Sequence, residues 1–265
     1  MGGPRKERTY DGFAVDLDGV VWLAREPIEG AAEAIGRLRG MGCPLVFVTN
    51  DPRSSRAELA ARLGEIGVPT EPEAILTSAR IAADAAARER AGGRVLVAGS
   101  AALADEHREA GLEIAEFTPS AEASAVIVGG GWDLSSEQLA IAAGAVRAGA
   151  ELWATNTDPT YPTPAGPAPG TGALVAALEV ASGTRARVLG KPEPAIFEAA
   201  LELLGCERPL MAGDSLRSDI AGAAAAGLST ALILTGHDTR EGAEAAAVQP
   251  DLIYETLAAL AEDLA

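Results

Sequence analysis

Phe13-Ala14-Val15-Asp16-Leu17-Asp18-Gly19 decides how this chain is read. The apolar run is a strand, and strand side chains alternate faces with a period of two. Asp16 and Asp18 therefore point the same way, and Gly19 lets the chain turn sharply behind them. The product is a pair of acids at the carboxyl end of a strand, where open α/β sheets place their ligand sites. Such a pair can hold Mg²⁺ and divide nucleophilic and acid–base work between its members.

Outward from that strand, apolar runs alternate with alanine-rich helical patterns, which predicts an α/β fold with mainly parallel strands. The pattern places strands at Phe13–Asp16, Leu45–Thr49, Arg94–Ala98, Ala125–Val128, Leu152–Ala154, Arg187–Leu189, Leu210–Gly213 and Thr230–Leu234. Helices are expected over Ala31–Met41, Arg56–Ile66, Ala79–Arg90, Ala101–Ala110, Ser135–Ala148, Ala173–Ala181, Pro194–Leu204, Asp219–Ala226 and Leu257–Leu264. Between Asn156 and Gly172 stand Pro159, Pro162, Pro164, Pro167 and Pro169. Neither a helix interior nor a central strand accepts so many prolines, so this is an ordered loop. The expected anatomy is a Rossmann-like parallel-sheet core, 1–76 with 187–265, interrupted by an inserted α/β module, 77–186.

A formal charge of −17 over 265 residues argues against binding to a nucleic-acid backbone. No apolar run approaches the roughly 18 residues of a membrane span. Met1–Arg8 is charged and lacks the apolar core of a secretory signal, so a cytoplasmic setting is expected. Cys43 and Cys206 have no metal or disulfide spacing and read as small buried thiols. His107 and His237, the two histidines, are expected on exposed turns or helices. Arginine supplies nearly all positive charge; the two lysines are Lys6 in the tail and Lys191, in Gly-Lys-Pro-Glu-Pro. A lysine supplies a compact point charge that arginine's planar fork does not reproduce.

Four polar punctuations close predicted strands: Asp16-Leu-Asp18, Thr49-Asn50, Lys191 and Gly213-Asp214-Ser215-Leu-Arg-Ser-Asp219. They combine acids for a cation, short donors for an anion and a lysine to offset charge, the set a phosphoryl site needs. Competing motifs fail. An EF-hand loop from Asp16 would have Val21 at its glycine position and Pro27 at its glutamate position. A Walker loop ending at Lys191 meets Arg185 and Pro192 where glycine and a hydroxyl are required. Val175 stands at the third glycine of a dinucleotide fingerprint, and Ser215 lacks a nucleophile elbow.

The order and spacing of these segments resemble the haloacid dehalogenase superfamily of phosphatases. The match covers Asp16-Leu-Asp18-Gly19-Val20, Thr49-Asn50, Lys191 and Gly213-Asp214-x4-Asp219, with Lys191 standing 142 positions after Thr49. Asp-Leu-Asp-Gly-Val-Val-Trp, Thr-Asn-x-Pro-x-Ser-x-Arg and Ala-Thr-Asn-x-Asp narrow it further. They are similar to the branch holding 4-nitrophenylphosphatases, pyridoxal, phosphoglycolate and glycerol 3-phosphate phosphatases, with a large cap between the second and third motifs. The resemblance implies Asp16 as nucleophile, forming an aspartyl-phosphate, and Asp18 as general acid and base. It implies Mg²⁺ on Asp16, the Asp18 carbonyl and Asp214, with Asp219 in or near the shell. Thr49 and Asn50 would bind phosphate, and Lys191 would neutralise the nucleophile and the phosphoryl group. Asp51 stands where this branch commonly has asparagine, and a carboxylate there must turn away from phosphate or meet a cation or hydroxyl.

The inserted module reads as a lid that selects the leaving group, with Asn156, Asp158 and the proline loop as candidate substrate contacts. Asn156 and Asp158 equally fit a purely turn-forming role. The implied partner is a small phosphorylated metabolite, and a homodimer through the cap is expected by the same resemblance. Hydrolysis is favoured over transfer to a sugar and over non-catalytic binding, since a sensor needs no nucleophile. Glycerol 3-phosphate, phosphoglycolate, pyridoxal phosphate, nucleotides and sugar phosphates remain open as substrates, with a lean to the first.

Overall fold

The computed structural model describes residues 10–24, 26–131, 134–161, 163 and 166–265. The tail Met1–Arg8, with Lys6, and Pro162 and Pro164 of the proline loop lie outside the described residues. In chain order the strands that matter here are β1 (Gly12–Val15), β2 (Leu45–Thr49), β3 (Arg94–Gly99), β4 (Glu113–Ile114), β5 (Ala125–Gly129), β6 (Glu151–Ala154), β7 (Arg187–Val188), β8 (Pro209–Gly213), β9 (Ser229–Ile233) and β10 (Leu252–Tyr254). The chain divides into two compact units, one drawn from Met1–Val48, Leu63–Thr70 and Phe197–Ala265, the other from Thr49–Arg62 and Glu71–Ile196.

In the first unit the strands run parallel in the order β10-β9-β8-β1-β2. Parallel sheets are covered on both faces, so their strands are continuously apolar. β1 obeys this: Phe13, Ala14 and Val15 are at most 1% exposed. Helices Ala31–Gly40 and Leu257–Leu264 pack against each other in this unit.

The second unit has its own parallel sheet, in the order β7-β6-β5-β3-β4. Leu96, Val126, Val128 and Leu152 from its strands bury against Leu174, Val175 and Leu178 of helix Thr171–Ser182. Serine caps set where its helices begin: Ser100 Oγ accepts from Leu103 N–H, and Ser135 with Gln138 forms a reciprocal capping box.

Cys206, read as a buried thiol, is only partly buried, and three further readings of the sequence change. Arg187–Leu189 was expected to return the chain to the first pattern; instead Arg187 and Val188 pair with Trp153 and Ala154 as the edge of the second sheet. Arg187 lies over the Trp153 ring at 4.9 Å and reaches Glu89 at 2.7 Å, contacts that hold it there. The helix expected over Asp219–Ala226 starts earlier, with a π turn at Leu216–Ile220 followed by Ala221–Ala225. The third change concerns His107.

His107 was expected in solvent, yet it is fully buried on helix Ala101–Glu109. Its Nδ1 sits 2.7 Å from Leu103 O, and its Nε2 has no hydrogen-bond partner among the described residues. The inward face of the helix is Ala102, Leu103, Glu106 and His107, so position 107 falls on it together with Leu103. Burial holds the imidazole below its ordinary value, against the opposing pull of the Leu103 carbonyl and Asp84. The unfolded chain takes a proton near pH 6.5 where the folded one does not. Stability is therefore full above about pH 6.5 and falls below it, by up to ~1.4 kcal/mol per pH unit. Thermal unfolding between pH 7.5 and 5.5 is expected to show this loss in the native protein and a smaller one in His107→Leu.

Candidate active site

Parallel register brings the acids of the first unit together. Val15 pairs with Ala212, and the Asp16 N–H donates to Ala212 O at 2.9 Å, so the carboxyl ends of β1 and β8 lie side by side. Asp16 follows β1 directly and Asp214 follows β8. The π turn delivers the third acid: Ile220 N–H reaches Ser215 O, and Asp219 Oδ2 accepts from Ser215 N–H at 3.0 Å. π turns of this kind concentrate at functional sites. One carboxylate oxygen each from Asp16, Asp214 and Asp219 lies within 4.8 Å of the others, and all three residues are buried.

Backbone donors aim these groups. Leu17 N–H donates to Asp16 Oδ1 at 2.7 Å, and His237 N–H donates to Asp214 Oδ2 at 2.7 Å. Gly19 has φ +83°, and a side chain there would run into the Asp214 carboxylate; at Gly213 a Cβ would overlap Asp219. Both positions require glycine for the acids to converge. Three carboxylates this close repel one another unless a cation lies among them. Hard oxygen donors at this separation fit a small divalent ion. The Asp18 carboxylate is not among the three: its Oδ1 accepts from the Trp22 indole N–H at 3.2 Å.

In the second unit, Asn50 is a hub. Its Nδ2 donates to Asp158 Oδ2 and to Lys191 O, both at 3.0 Å, and its Oδ1 accepts from Lys191 N–H at 2.8 Å. Its carbonyl accepts from Ser78 Oγ at 2.7 Å and from Asn156 Nδ2 at 2.8 Å. Both hydrogens of the Asn50 side-chain amide are thus committed within the protein, and the side chain fixes the backbone of Lys191. Lys191 itself is 2% exposed. Thr49 is buried, and its Oγ1 accepts from Asp51 N–H at 3.0 Å, which leaves its hydroxyl proton to donate.

Asn156 and Asp158 form the Asx turn that the residue types allow: Asp158 N–H donates to Asn156 Oδ1 at 3.0 Å. Asn156 is 3% exposed, so its side chain serves the loop after β2. Asp51 meets a cation of its own chain: its Oδ1 accepts from Arg53 Nε at 2.6 Å and its Oδ2 from Ser54 Oγ at 3.2 Å. Sequence reasoning passed over Arg53 and Ser78. The Asp51-Pro52-Arg53 spacing carried a signal for the first, since an aspartate readily bonds two residues onward; nothing local marked Ser78, which lies 28 positions from its partner.

Paired acids on adjoining parallel strands in one unit, and a Thr-Asn step and a buried lysine in the other, are the residue types that phosphoryl chemistry uses. Residues 13–113 match the haloacid dehalogenase-like hydrolase family, and residues 188–260 the HAD-hydrolase-like family. The chain is 32% identical over 252 residues to an acid sugar phosphatase of Staphylococcus aureus, covering 94% of this chain and 96% of that one. It is 41% identical over 231 residues to the D-glycerol 3-phosphate phosphatase of Mycobacterium tuberculosis, covering 86% of this chain but only 64% of that relative's length. Among solved structures, a glycerol phosphate phosphatase from Mycobacterium tuberculosis in complex with magnesium superposes with a TM-score of 0.90 at 38% identity, over 98% of this chain and 80% of the other. The chain belongs to the haloacid dehalogenase-like hydrolases and, within them, to the branch that holds these phosphatases.

Proposed function

We propose that this protein is a Mg²⁺-dependent phosphomonoesterase acting on small phosphorylated metabolites, with glycerol 3-phosphate as the first candidate. The observation that carries the reading is the convergence of Asp16, Asp214 and Asp219 within 4.8 Å. Those carboxylates, with the Asp18 carbonyl, would hold Mg²⁺, which would supply positive charge to offset that of the phosphoryl oxygens. Asp16 attacks phosphorus, the bond to the alcohol oxygen breaks, and Asp18 gives that oxygen its proton. Asp18 then takes a proton from the water that cleaves the aspartyl-phosphate, releasing phosphate and restoring Asp16. The Thr49 hydroxyl and the Lys191 ammonium bind the phosphoryl oxygens, and Asn50 keeps Lys191 in place. The module 77–186 selects the leaving group, and the protein works as a cytoplasmic homodimer joined through that module.

The test is phosphate release from a panel of phosphomonoesters: glycerol 3-phosphate, phosphoglycolate, pyridoxal phosphate, a nucleoside monophosphate and a sugar phosphate. Turnover is expected with Mg²⁺, to vanish on chelation by EDTA, and to return when excess Mg²⁺ is added. Turnover that survives chelation, or none on any ester, overturns the reading.

A further inference from the structure

Ser78 has no place in the chemistry proposed above, yet it is fully buried beside groups that carry it. Thr77 caps helix Ser78–Glu89, its side chain accepting from Arg80 N–H at 3.0 Å, so Ser78 is the first residue of that helix. Its Oγ reaches the loop after β2 and donates to Asn50 O at 2.7 Å. Asn156 Nδ2 donates to the same oxygen at 2.8 Å, and the Asn156 amide is fixed that way round because its Oδ1 accepts from Asp158 N–H. Donors 28 and 106 positions away thus occupy both lone pairs of one carbonyl. Packing sets the place of Ser78 as well: a Cβ added at Gly190, the residue before Lys191, would come within 2.8 Å of the Ser78 Cβ.

A peptide group is planar, so fixing a carbonyl fixes the N–H on its far side. Across from Asn50 O that N–H belongs to Asp51, and it donates to Thr49 Oγ1 at 3.0 Å. A hydroxyl offers one proton and two lone pairs. With an N–H on its oxygen, Thr49 keeps its proton for another acceptor, which is the state that binds an anion. Were the peptide turned over, Asn50 O would stand beside the hydroxyl in place of the N–H and take that proton itself. We propose that Ser78 is a positioning residue for the phosphoryl site: its hydrogen bond to Asn50 O holds the Asn50–Asp51 peptide in the orientation that keeps the Thr49 hydroxyl a donor to phosphate. Asn156 shares the task through the second lone pair. The inference rests on the phosphomonoesterase reading, which assigns Thr49 to the phosphoryl oxygens, and names what orients that hydroxyl.

Ser78→Ala keeps the Cβ against Gly190 and removes only the hydroxyl. The experiment measures binding of inorganic phosphate in the presence of Mg²⁺ by calorimetry, and kcat/KM on the most active ester of the panel. Both are compared in the native protein, Ser78→Ala, Thr49→Val and the double variant. Ser78→Ala is expected to weaken phosphate binding and to lower kcat/KM by about tenfold each, the scale of one hydrogen bond. In the Thr49→Val background no hydroxyl remains to orient, so the same change is expected to cost less than about twofold. Thr49→Ser keeps a hydroxyl, and there Ser78→Ala again costs about tenfold. Equal losses in the native and Thr49→Val backgrounds, or a lowered unfolding midpoint with phosphate affinity unchanged, overturn the proposal and leave Ser78 as a loop brace. If Thr49→Val fails to fold, the Thr49→Ser background decides, and an absence of cost there overturns the proposal. Phosphate binding by a native protein that turns over no ester overturns the phosphomonoesterase reading while the binding comparison still decides on Ser78. A native protein that binds no phosphate overturns both.

Discussion

Asparagine at position 16 is expected to reduce phosphate release by about 10⁴-fold or more, the scale on which enzymes lose their nucleophile. The substitution is nearly isosteric, so the strand end and the Leu17 N–H contact to the side-chain oxygen survive. What disappears is the anionic oxygen that bonds to phosphorus, and no neighbour replaces it: the Asp18 carboxylate is engaged by Trp22, while Asp214 is held by the His237 N–H. Removing one of three converging carboxylates also relieves repulsion among them. The unfolding midpoint in the absence of metal is therefore expected to rise or stay level while activity collapses. Rapid-quench detection of acid-stable phosphate on the protein supplies a second readout, present with native enzyme and absent with Asp16→Asn. Retention of more than a few per cent of native turnover by the variant would remove Asp16 from the nucleophile's role.

Asn50→Asp is expected to be the most damaging change of a single atom in the second unit. The native amide donates to Asp158 Oδ2 and Lys191 O at 3.0 Å each. An oxygen in place of that nitrogen loses both donations, leaves the Lys191 carbonyl without this donor, and sets two carboxylates against each other. The cost is about 2–3 kcal/mol, less than for a fully buried pair because Asn50 and Asp158 keep part of their exposure. Lys191 shifts with its backbone, so kcat/KM is expected to fall by about 10²–10³-fold. Pairing the change with Asp158→Asn restores a donor across the gap, and both the unfolding midpoint and kcat/KM should recover in part. Recovery of neither would mean that the Asn50–Asp158 contact does not hold the site.

Local pattern carried much of this protein. The buried run Phe13–Val15 reads as a parallel strand without reference to any neighbour, because apolar residues on both faces have no other use. Helices with serine caps, such as Ser136–Arg147 behind Ser135, were legible from the cap and the periodicity behind it. Leu252–Tyr254 and Arg240–Ala245 were passed over, since three and six residues are too short to show a period. His107 was misplaced because an alanine-rich helix offers little contrast between its faces, so composition does not say which face is covered.

The sequence by itself determined which groups are candidates for chemistry: acids at strand ends, a Thr-Asn step and a single internal lysine, each recognisable because residue type and strand periodicity are local properties. Tertiary structure decided what those groups touch. The register of β1 on β8 places Asp214 beside Asp16, and the π turn adds Asp219. Asn50 spends its amide on Lys191 and Asp158, which lie 141 and 108 positions away. Asp51 turns to Arg53, and Arg53 to Tyr161. Hydrogen bonds and ion pairs depend on distances of a few ångströms between atoms that the chain brings together only by folding, and no local pattern encodes those distances.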